Sequence, residues 1–177
     1  MNLPNKLSLL RICCIPLIVL LLAMPASWCR WTALIVFILA CLTDFLDGHI
    51  ARKQQIITDF GKFIDPVADK LLVLSTMIML ISRLQLPAWT VILILARELS
   101  VDGLRLIAVT NGKVIAAGPA GKLKTASQML MIIVLLVFNI PAASHPITLI
   151  LLIWVLAITI YSGVDYFLKN RSLLIEN

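Results

Sequence analysis

The apolar residues of this chain fall into six runs, each about the length of a membrane-crossing helix, and that pattern leaves little else for the chain to be. Between charges and helix breakers the runs cover 9–27, 31–51, 62–82, 87–110, 120–140 and 146–168. A helix needs roughly 20 apolar residues to cross the hydrocarbon core, so six spans and short connections use up the 177 residues. Hydrophobic residues make up 61% of the chain and charged residues only 14%. The mean hydropathy of +1.04 is far from that of a soluble domain. The expected fold is all-α: a polytopic membrane protein with six transmembrane helices, forming one domain over residues 1–177.

The net charge of +6 is explained by topology rather than by nucleic acid, because the basic residues sit at the ends of apolar runs. Lys6, Arg11, Arg52, Lys53, Lys62, Lys70, Arg97, Arg105, Lys113, Lys122, Lys124, Lys169 and Arg171 fall on one side, leaving Arg30 and Arg83 on the other. By the positive-inside rule both termini and the two polar connections, 52–61 and 111–121, face the cytoplasm. The first run reads as a span rather than a cleaved signal. Cys13, Cys14, Cys29 and Cys41 show no metal or disulfide spacing and receive no role.

Against this apolar background the acidic residues are conspicuous. An aspartate at the centre of a membrane helix costs about 2.5–3.5 kcal/mol on insertion scales, so intramembrane carboxylates mark sites. Asp44 and Asp47, three apart, share one helix face at the end of the second run; Asp65 and Asp69, four apart, share one at the start of the third. A short connection brings the two faces together. Four converging carboxylates repel one another unless a cation neutralises them, and an all-oxygen donor set selects a hard ion such as Mg²⁺ or Mn²⁺ over zinc. His49 beside them is not read as a ligand. Gly48 and Ala51 leave room for a bulky ligand to approach, and Arg52 offers a guanidinium fork for phosphate. The plainer reading makes the aspartates structural ion pairs of Lys62, Lys70 and Arg52, which explains their density poorly.

The segment Asp44-Phe-Leu-Asp47-Gly48-His-Ile-Ala51-Arg52, eight further residues, then Gly61-Lys-Phe-Ile-Asp65-Pro-Val-Ala-Asp69 resembles the signature of the CDP-alcohol phosphotransferase family at every fixed position. That resemblance implies a six-helix fold, one or two divalent ions, a CDP-linked donor and a homodimer. Carried over, it makes Asp44, Asp47, Asp65 and Asp69 metal ligands, with Asp69 also the general base. Asn5, Asp47, Gly48, Ala51, Arg52 and Gly61 become the CDP-binding cradle.

The acceptor must be argued from the rest of the chain. The opening Asn2-Leu-Pro4-Asn5-Lys-Leu-Ser8-Leu-Leu-Arg11 is similar to that of bacterial phosphatidylglycerophosphate synthases, with serine where threonine is more usual. Ala96-Arg97-Glu98-Leu99, Leu104-Arg105 and the stretch from Gly121 to Met129 are similar to the same group. This resemblance implies CDP-diacylglycerol as donor, glycerol 3-phosphate as acceptor and a bacterial inner membrane, with the active site facing the cytoplasm. Arg97, Arg105, Lys122 and Lys124 are the candidates for binding the acceptor phosphate, which needs fixed positive charge. Glu98 and Asp102 are alternative ion-pair partners for the two arginines. The rival readings are another acceptor within the same family, phosphatidylglycerol or an inositol phosphate, and a divalent-cation transporter. Clustering at one membrane boundary disfavours the transporter.

Overall fold

The computed structural model describes residues 3–54, 59–112, 115 and 118–171, with side chains described for 7–43, 61, 64–112, 115 and 118–171. Among the described residues there are six α-helices: α1 (Leu3–Ala23), α2 (Ser27–Gln54), α3 (Asp59–Ser82), α4 (Ala88–Thr110), α5 (Pro119–Phe138) and α6 (Pro146–Lys169). They follow the six apolar runs, with shifted ends. α1 begins near Pro4 rather than at residue 9, because proline fits the first turn of a helix, where no N–H is needed. It stops at Ala23, before Met24, whose helical conformation Pro25 disfavours.

Large apolar side chains are exposed on every helix, among them Leu20, Ile35, Ile78, Ile92, Leu130 and Ile150. Apolar helices exposed in this way suggest a membrane protein. Among the described residues α5 and α6 are long and apolar enough to cross a membrane by themselves, and Leu7–Ala23 and Ser27–Thr43 are shorter apolar stretches.

The chain divides into two compact units: residues 1–85 with 132–139, and residues 86–131 with 140–177. In the first, α1 packs on α2 and α3. α1 and α3 run parallel, because Ser8 and Arg11 near the start of α1 meet Asp65 and Asp69, while Arg83 just past the end of α3 reaches the end of α1. Ile18, Leu22, Phe37, Leu72, Met77 and Leu80 are buried here. In lipid such burial exchanges one apolar contact for another, so close packing and hydrogen bonds must hold the helices together.

Polar groups therefore matter most at the helix ends. Arg83 donates to the carbonyls of Leu22 at 3.0 Å and Met24 at 3.3 Å. Arg30 donates to the carbonyls of Leu136 and, at 2.9 Å, Val137. Both guanidiniums thus satisfy carbonyls that a helix end leaves without donors. α3 closes with Leu84 in the left-handed region (φ 58) and the Gln85 N–H on the Leu80 carbonyl, the geometry of a Schellman end. α5 closes on Asn139 (φ 55), whose Oδ1 accepts from Gln85 Nε2 at 2.8 Å.

In the second unit α4 packs on α6, and Val101, Leu104, Ala108 and Tyr166 form a buried cluster. Gly163 permits the approach: a Cβ there would stand 3.2 Å from Cγ of Arg97. His145 caps α6, its Nδ1 accepting from the Ile147 N–H at 3.3 Å, and Pro146 occupies the first turn.

Candidate active site

Asp65 and Asp69 lie one turn apart in α3, with buried Gly61 a turn before them. Pro66 follows Asp65 inside the helix and withholds the donor that the carbonyl four residues earlier would take. Both carboxylates are half-buried, and α1 supplies a partner for each. Ser8, fully buried, donates its hydroxyl to Asp65 Oδ1. Arg11, whose residue is 1% exposed, places Nη1 2.6 Å from Asp69 Oδ1. A guanidinium taken out of water is costly unless it is paired and hydrogen-bonded, and Asp69 supplies such a pair. Ser8 and Arg11 sit three apart on one face of α1, matching the four-residue spacing of the aspartates they meet.

Sequence reasoning gave these two residues no part in the site. Ser8 was a position in a pattern and Arg11 a topology charge; their spacing on α1 was the one signal that could have found them.

Asp44, Asp47, Gly48, Ala51 and Arg52 occupy the last part of α2, and Asn5 the first turn of α1. Their side chains lie outside the described residues. Among the described residues no three His, Cys, Asp or Glu converge, so the expected four-carboxylate cluster is represented by its α3 half. That half has the right chemistry for a hard cation: carboxylate oxygens oriented by neighbouring donors.

The expected acceptor residues separate into three situations, all in the second unit. Arg97 Nη1 lies 3.2 Å from Glu98 Oε1, and the same oxygen accepts from Lys124 Nζ of α5. These three side chains are nearly buried, at 12%, 8% and 5% exposure. Arg105 turns instead to α6, donating Nε to the Tyr166 hydroxyl at 3.0 Å with its guanidinium 5.4 Å from the ring centre. Lys122 is exposed. The structure thus brings Arg97 and Lys124 to one carboxylate and leaves Arg105 and Lys122 away from it.

Comparison with known proteins agrees with the signature on α2 and α3. The family model for CDP-alcohol phosphatidyltransferase matches residues 1–161. The CDP-diacylglycerol--glycerol-3-phosphate 3-phosphatidyltransferase of Bacillus subtilis (strain 168) is 41% identical, over 98% of this chain and 97% of that protein. The protein of the same name from Rickettsia typhi is 38% identical over 94% of this chain and 95% of its own. A probable phosphatidylglycerophosphate synthase of Mycobacterium tuberculosis (strain H37Rv) is 40% identical over 93% of this chain and 79% of its own. The chain belongs to the CDP-alcohol phosphatidyltransferase family.

Proposed function

We propose that this chain transfers the phosphatidyl group from CDP-diacylglycerol to sn-glycerol 3-phosphate, releasing phosphatidylglycerol phosphate and CMP. The observation that carries the reading is near full-length similarity to relatives bearing that activity in their names. The chemistry of the two units is compatible with it: oriented carboxylates on α3, and a buried pair of cations on α4 and α5 suited to a phosphate-bearing acceptor.

In this reading Asp69 takes the proton of the acceptor's primary hydroxyl as that oxygen attacks the lipid-side phosphorus, and Arg11 holds the carboxylate in place through Oδ1. Ser8 fixes Asp65 in the same way. Asp44, Asp47, Asp65 and Asp69 would hold one or two Mg²⁺ or Mn²⁺ ions, which when bound supply positive charge to the diphosphate and to the departing CMP. Asn5, Asp47, Gly48, Ala51, Arg52 and Gly61 line the CDP cradle. Arg97 and Lys124 hold the acceptor phosphate, while Arg105 and Lys122, which lie away from that pair, add positive charge on the cytoplasmic side to draw the acceptor in.

The whole chain, 1–177, acts as one domain of six spans with both termini cytoplasmic. It works as a homodimer in a bacterial inner membrane, with its active site at the cytoplasmic boundary, where a donor with acyl chains in lipid and a nucleotide in water is best accommodated. The test is CMP release by purified protein with CDP-diacylglycerol and Mg²⁺ or Mn²⁺, comparing glycerol 3-phosphate with serine, inositol phosphate and phosphatidylglycerol. Metal-dependent release with glycerol 3-phosphate alone supports the reading, and release only with another acceptor replaces it. Asp69→Asn should abolish turnover while nucleotide binding persists; retained turnover removes Asp69 as the base.

A further inference from the structure

Around Glu98 the second unit holds more buried donors than its described bonds use. Glu98 Oε1 accepts from Arg97 Nη1 and from Lys124 Nζ, yet among the described residues the buried Nε of Arg97 has no hydrogen-bond partner, and neither has Nε2 of Gln128. Gln128 is 2% exposed and lies one turn beyond Lys124 on the same face of α5. Gly121, a turn before Lys124, faces Arg97 as well: a Cβ there would stand 3.8 Å from Nη2. Arg97 therefore lies along the α5 face that carries Gly121, Lys124 and Gln128.

Buried donors without acceptors are expensive, and each calls for an explanation. A ligand that brings acceptor atoms only, an oxyanion, resolves both at once. The shared carboxylate has a second consequence. Arg97 and Lys124 carry like charges and would separate if nothing stood between them; a single Glu98 oxygen holds them side by side.

We propose that Glu98 is a positioning residue that fixes Arg97 and Lys124 as two arms of an oxyanion pocket, with Gln128 as its third donor. This rests on the reading above, in which the oxyanion is the acceptor's phosphate, and adds the residue that orients the clamp and a contact that charge counting does not find.

The test measures CMP release against glycerol 3-phosphate concentration at saturating CDP-diacylglycerol for wild type, Glu98→Gln, Glu98→Asp, Gln128→Leu and Lys124→Met, and for Glu98→Gln in the Lys124→Met background. Glu98→Gln should raise KM for glycerol 3-phosphate by about tenfold or more, the scale of one lost charged hydrogen bond. Its kcat should stay within roughly threefold, and KM for CDP-diacylglycerol should not move, as expected for lost acceptor binding. Glu98→Asp should recover part of the loss, and the Gln substitution should add little once Lys124 is gone.

An unchanged KM overturns the proposal. So does full additivity with Lys124→Met, or a general loss in which kcat falls, both KM values rise and thermal stability drops together. If Glu98→Gln does not fold, Gln128→Leu decides: a raised acceptor KM supports the pocket and a wild-type value overturns it. If the wild type releases CMP only with another acceptor, the functional reading fails separately. The pocket is then judged by thermal stabilisation with inorganic phosphate, which Glu98→Gln and Gln128→Leu should abolish and which overturns the pocket if it survives in both.

Discussion

Replacing Arg11 with methionine keeps most of the side-chain volume and removes the guanidinium that lies 2.6 Å from Asp69. Removing one partner of a fully buried pair costs about 3–5 kcal/mol. Here Arg11 is buried but the Asp69 side chain is 29% exposed, so solvent screens part of the carboxylate charge. The expected cost is about 2–3 kcal/mol, the upper part of the range for a charged hydrogen bond. At roughly 2–4 °C per kcal/mol for a chain of this length, Arg11→Met should unfold about 5–10 °C below wild type in detergent with divalent ions chelated. The double variant Arg11→Met/Asp69→Asn should regain part of that loss, since the carboxylate charge that Arg11 offsets is then gone as well, and the cycle should show a coupling of at least about 1 kcal/mol. If Asp69→Asn costs the same in both backgrounds, the pair does not hold the start of α1 to α3.

Three further outcomes follow from the geometry. Ser8→Ala should weaken Mn²⁺ binding by about tenfold or more, as loss of a donor behind a ligand does, whereas Ser8→Thr should bind as wild type; a titration by electron paramagnetic resonance checks both. Leu84 is 82% exposed with a left-handed backbone, so Leu84→Gly should stabilise by about 1 kcal/mol, read as a higher unfolding temperature; a lower one would mean that Leu84 has packing to lose. Gly163→Leu should destabilise by about 1–3 kcal/mol through overpacking against Arg97, and an unchanged unfolding temperature would show that α4 and α6 have room between them.

Much of the helical plan was legible because lipid imposes a simple rule: apolar runs of one length, interrupted by proline, glycine and charge. Asp65 and Asp69 stood out for the converse reason, as carboxylates in an apolar run, and the structure gives each a partner on α1; Asp44 and Asp47 stood out in the same way, and their side chains lie outside the described residues. Partners were harder to read. Arg11 and Asp69 are 58 residues apart, and only the parallel packing of α1 on α3 joins them. Glu98 was foreseen as an ion-pair partner of Arg97, but Lys124 comes from the next helix, 26 residues on. The hydroxyl of Tyr166 takes Arg105, and nothing in the spacing of α4 announces it.

Arg30 and Arg83 are the two cations that a count of charges by side sets against the majority. Each ends on the carbonyls of a helix terminus, where the partial negative charge of the aligned peptide dipoles offsets much of its own. With the proposed orientation, the outer face then carries little net attraction for anionic headgroups, while the inner face keeps the excess of its thirteen Lys and Arg over the nine Asp and Glu that share that side. A protein built this way would attract anionic lipid more strongly in one leaflet, the one into which it is proposed to deliver its anionic product.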